Sequence, residues 1–143
     1  MADVGKQMNQ AGTLLVAAEL ALAGVPVLTA KLGGRLLSKP DGQEPQHIKV
    51  VSRTFKHGWS DFAVYRVSDH FDWLAVVILS EDTRSRSFYI LPRDAADRIA
   101  RRDSKTSKTA DQRYWPISIV DRELIAWRDN FGLSREPEAA RAA

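Results

Sequence analysis

An α/β (α+β) fold is what this sequence predicts: a helix, then a mixed sheet of about five strands, flanked by helices. Three observations carry it. Residues 14–23 are apolar except for Glu19, the pattern of a helix covered on most sides. Short extended segments bounded by turn residues follow, and DWLAVVILS at 72–80 is apolar almost throughout. Two helix signals close the chain, with Pro92 opening one and Ser118 capping the other.

Each element has its own reason. Residues 1–10 are polar and read as a flexible N-terminus. Thr13 is a fair N-cap for the first helix, and Gly24 with Pro26 ends it. VPVLTA at 25–30 reads as a strand, Gly33-Gly34 as a break, and residues 35–38 as a short second strand. Pro40-Asp41-Gly42 is a turn signal, so the alternating HIKVVSRTF at 47–55 pairs back on 35–38 as an antiparallel hairpin. Residues 61–67 alternate weakly and are extended. The apolar run 72–80 belongs at the sheet centre, and SFYIL at 87–91 forms a hairpin with it. A helix over 93–102 follows. DSKTSKTADQR at 103–113 lacks large apolar groups and reads as a loop. A last helix runs from Ser118 to Gly132, with Leu124, Trp127 and Phe131 on one face. The domain therefore spans 11–133, and 134–143 is a flexible tail.

Composition narrows the setting. With 44% hydrophobic and 27% charged residues the chain is an ordinary globular one. The absence of cysteine excludes disulfides and thiolate metal sites and fits a reducing compartment. The apolar run 13–28 is broken by Glu19 and falls short of the roughly 20 residues a membrane span needs. MADVGKQMNQ has no signal-peptide pattern, so the expected location is cytoplasmic, with no membrane contact. A net charge of +3 permits an anionic partner without requiring one.

Familiar catalytic signatures are missing. His47, His57 and His70 lack metal-ligand spacing, and Ser60, Ser68 and Ser80 lack a nucleophile context. Gly33-Gly34-Arg35 has neither the lysine nor the spacing of a phosphate-binding loop. The tryptophans read as core or interface anchors, and Trp59 and Trp115 are the two assigned to a partner surface.

One pattern is more specific. AGTLLVAAELALAGVPVLT, then RLLS, then HIKVVSRT, with Trp59 beyond and FYILP later, follow one another over residues 11 to about 131. In this order they resemble the core of the PD-(D/E)XK nuclease-like (restriction endonuclease-like) superfamily. The resemblance implies a site in which two acids on adjacent strands hold Mg²⁺, and a lysine two residues after the second acid assists the attacking water. Acid and lysine must be two apart to share one face of a strand. The helix glutamate can add a ligand.

Carried over position by position, that site is degenerate. Glu19 keeps the helix acid, but Arg35 stands at the first acid, Lys49 at the second and Val51 at the lysine. No catalytic residue, metal or cofactor is then expected. Glu19 should pair with Lys49 or Arg35, because a lone carboxylate in an apolar helix is costly. Lys31, Arg35, Lys49, Arg53 and Lys56 would form a basic surface contacting nucleic-acid phosphates. The expectation is a pseudonuclease, in a prokaryotic or phage setting, that binds DNA or a nucleic-acid-handling protein. Many relatives pair, so the resemblance also allows a homodimer. Two alternatives stay open: a protein-interaction or inhibitor module, and an active Mg²⁺-dependent endonuclease using Glu19 with Asp41, Glu44 or Asp61.

Overall fold

The computed structural model describes residues 4–54, 62–80 and 85–138. Their elements in chain order are α1 (Val4–Leu22), β1 (Val27–Lys31), β2 (Arg35–Ser38), β3 (Gln46–Thr54), β4 (Phe62–Arg66), β5 (Trp73–Leu79), β6 (Arg86–Pro92), α2 (Arg93–Ile99), β7 (Gln112–Pro116) and α3 (Val120–Leu124). The class is α+β, as the sequence predicts. A five-stranded mixed sheet has the order β1-β2-β3-β5-β6, and β4 and β7 form a second, two-stranded sheet. No helix among the described residues is long and apolar enough to cross a membrane.

The large sheet is antiparallel except at one place. β1, β2 and β3 form a meander, β5 runs parallel to β3, and β6 returns antiparallel to β5. A parallel pair needs a crossover. Here the chain between β3 and β5 makes it and includes β4, which pairs away from the large sheet.

The two faces of the large sheet have separate cores. On one face Val16 and Leu20 of α1 pack on Leu36, Ile48, Val50, Ala75 and Val77. On the other, Val51, Leu74 and Val76 pack under β4, α2, Trp115 and the C-terminal helical turns. Residues 48 and 50 face α1, so period-two alternation sends Lys49, Val51 and Arg53 to the opposite face.

Three elements depart from the sequence reading. The first helix starts at Val4, so Thr13 lies inside it and donates its hydroxyl to Asn9 O at 2.6 Å. Tertiary contact explains the early start. β3 outruns β2, and Asn9 Oδ1 accepts the Ser52 N–H at 3.0 Å. Met8 also packs against the α1-side core. Secondly, Gln112–Pro116 is a strand rather than the end of a loop, because it pairs with β4. Thirdly, the last helix is broken: α3 lies between 3₁₀ turns at Ile117–Ile119 and Ile125–Trp127. Leu124 and Trp127 are nevertheless buried, and Phe131 is half-buried. Beyond residue 133 the chain keeps a contact, with the Arg135 guanidinium 5.2 Å from the Trp73 ring centre.

Gly34 joins β1 to β2 with φ +102, and its carbonyl accepts the Val50 N–H at 2.7 Å. A Cβ there would lie 2.6 Å from Val50 O, a backbone atom that cannot move aside cheaply. Gly34→Ala is expected to cost about 2–3 kcal/mol, through backbone strain and this contact. The loss should appear as a lower urea midpoint at unchanged m-value.

Candidate anion-binding face

The register of the meander sets the site. Lys31 lies directly opposite Arg35, and Arg35 directly opposite Lys49. Directly opposed residues share a face, so three cations form one row across β1, β2 and β3. Strands are about 4.8 Å apart, which makes the row about 10 Å long. It lies on the face away from α1. Lys31 and Arg35 are exposed and Lys49 is half-buried.

One acid meets the row. Asp69, in the loop before β5, takes the Lys49 ammonium at 3.4 Å. The two side chains are 29% and 30% exposed, so solvent screens the pair and it contributes within about 1 kcal/mol. Burial works against the charge of Asp69, but the Arg66 N–H and the Lys49 ammonium outweigh it and hold the carboxyl below its ordinary value. Among the described residues neither Lys31 nor Arg35 has an ion-pair partner. Three cations less one carboxylate leave a local charge of +2.

Arg93, the first residue of α2, fixes the loop carrying Asp69. Its guanidinium donates to Asp69 O at 2.5 Å, to Val67 O at 3.1 Å and to both Asp97 carboxylate oxygens at 3.2 Å. It also lies over the Phe71 ring at 4.2 Å and near the Tyr65 ring at 5.3 Å. Tyr65 donates its hydroxyl to Asp97 at 2.6 Å. Burial, and then this bond, push the Tyr65 phenol well above its ordinary value.

No family model, curated protein or solved structure matches this chain.

The site residues expected from sequence divide clearly. Lys31, Arg35 and Lys49 come together. Arg53 shares their face further along β3, and two of its donors go to backbone carbonyls, Phe62 O at 3.0 Å and Ser52 O at 2.8 Å. Val51 is buried under β4 and fills its position with core packing. Glu19 is not with them: its helix covers the other face of the sheet, and it forms no ion pair among the described residues. The expected Glu19 pairing with Lys49 or Arg35 is thus corrected to Lys49–Asp69. Asp41 and Glu44 are exposed in the turn at the far end of the β2–β3 hairpin, away from Lys49. Trp115 is fully buried and takes no part in a partner surface. Lys56, His57, Trp59, Ser60 and Asp61 lie outside the described residues.

Sequence reasoning missed Asp69 and Arg93. Asp69 sits in an ordinary polar loop, and Arg93 reads as a first-turn helix residue. No local pattern marks either one.

Proposed function

We propose that the chain is a nuclease-like domain without a cleavage site, and that it holds the phosphate backbone of DNA on the Lys31–Arg35–Lys49 row. The row itself carries this reading. Like charges directly opposite one another on a sheet destabilise it. Three such neighbours with one carboxylate among them are accounted for by an anion that lies across the strands. Phosphate contacts of this kind position a protein on nucleic acid without reading sequence.

The resemblance to PD-(D/E)XK nucleases adds the non-catalytic half of the proposal. A Mg²⁺ site needs converging carboxylates. Arg35 and Lys49 occupy the positions of the two acids, and Val51 is sealed in the core. The residues present do not fit the metal.

Lys31→Glu with Arg35→Glu tests the reading, since both side chains are exposed and the fold should tolerate the change. Wild-type affinity for a short labelled duplex should fall steeply between about 50 and 200 mM salt. The double variant should bind far more weakly, with the logarithmic salt slope reduced by about 2. Equal binding by the two proteins would overturn the DNA reading. Cleavage of the duplex in Mg²⁺ or Mn²⁺ would overturn the non-catalytic one.

A protein-binding role would use another surface. Leu14 and Leu22 of α1 are 55% and 82% exposed on the opposite side of the sheet. The charge-reversal variant leaves that surface intact.

A further inference from the structure

The small sheet carries a second feature apart from the cation row. β4 and β7 turn Ala63, Tyr65 and Trp115 into the core. The alternate residues Phe62, Val64, Gln112 and Tyr114 therefore face outward. The loop before β7 closes over them. Tyr114 donates its hydroxyl to Asp103 Oδ1 at 3.0 Å, and Thr109 donates to Asp103 Oδ2. Together these six residues line an open cavity of about 350 Å³.

Its chemistry is specific. Phe62 is 42% exposed and meets Tyr114 edge-on, with ring centres 5.5 Å apart. An exposed aromatic pair in a concavity offers faces and edges to a planar ring. A carboxylate has about four acceptor sites, and Tyr114 and Thr109 use two of those on Asp103. The Gln112 side-chain amide makes no hydrogen bond among the described residues and supplies both donor and acceptor. The Asp103 charge repels a phosphate. The cavity is at the small end of the range for ligand pockets, which are mostly apolar with a few placed polar groups.

We propose that this pocket takes one nucleobase with the 6-amino group of adenine or the 4-amino group of cytosine, in place of the carbonyl that guanine and uracil carry there. The ring stacks on Phe62 and Tyr114. The amine donates to the free acceptor positions of Asp103, as acidic side chains accept from cytosine N4. Gln112 pairs with the donor–acceptor edge, as glutamine does with adenine N6 and N7. Uracil and thymine would set a carbonyl oxygen against Asp103. The inference rests on the nucleic-acid reading above and names the part of the polymer that a second site holds.

Free nucleosides test the pocket alone, because they carry no phosphate for the cation row. The full chain is titrated with adenosine, cytidine and uridine while the Phe62 and Tyr114 ring signals are followed by NMR. Adenosine and cytidine should give saturable shifts, with uridine markedly weaker. Phe62→Ala should weaken binding about tenfold through lost stacking. Gln112→Ala should weaken adenosine binding. The Lys31→Glu/Arg35→Glu protein should bind nucleosides like wild type, so failure of the cation row and failure of the pocket are told apart. The absence of a saturable shift with any nucleoside would overturn the proposal. So would Phe62→Ala binding like wild type, or uridine binding as tightly as cytidine.

Discussion

Trp115→Ala is expected to lower the unfolding free energy by about 3–5 kcal/mol, the range for truncating a buried aromatic. Trp115 is fully buried, and its ring lies 6.2 Å from that of Tyr65. It belongs to the core that includes Leu91, Ala96, Val120 and Leu124. A domain of this size has about 5–15 kcal/mol in all, so the loss is a large share of the total. The melting temperature should fall by about 10 °C. Trp115→Phe should cost much less. It keeps most of the ring, and it removes an indole N–H that is buried without an acceptor among the described residues. Urea and thermal unfolding of the three proteins decide the matter. A change within about 0.5 kcal/mol for the alanine variant is the mark of a surface site and would restore the partner-surface reading.

Arg93→Lys should cost about 2–3 kcal/mol although the charge is kept. The guanidinium serves two carbonyls and a carboxylate in different directions while its plane covers Phe71. A lysine ammonium is a point charge on a flexible stem and cannot hold all of them at once. Val67 O and Asp69 O would lose their donors, and the loop bearing Asp69 would loosen. The effect should therefore reach the cation row. Asp69, held below its ordinary range by the Arg66 N–H and Lys49 against the effect of burial, should rise back toward the ordinary carboxylate range. Carboxyl titration by NMR reads this beside the unfolding curve. An unmoved Asp69 together with unchanged stability would show that Arg93 does not position the loop.

Some of this molecule is legible without coordinates. β5 is legible because seven apolar residues in a row, Trp73–Leu79, suit a strand covered on both faces. The β2–β3 hairpin follows from the Pro40-Asp41-Gly42 turn between two extended runs. Arg35 and Lys49 could be expected on one basic surface because both lie on the strands of that hairpin. β7 could not be read: it is short, has few apolar residues, and exists because distant β4 pairs with it. The first nine residues of α1 are equally silent. They are mostly small or polar, and the contacts that order them, Asn9 with Ser52 and Met8 with the core, come from elsewhere in the chain.

The α+β class, the order of the sheet-forming runs and the cations at Arg35 and Lys49 can all be read from the residues alone. These are properties of local pattern: periodicity, turn residues and residue identity. Which face of β3 the first helix covers was settled by packing across the whole fold. Period-two alternation defines two faces but does not say which neighbour each will meet. Packing set Ile48 and Val50 under α1, which left Glu19 on one side of the sheet and Lys49 on the other, beside Asp69. The same packing buried Trp115 and left Phe62 and Tyr114 outside, as the walls of an open pocket.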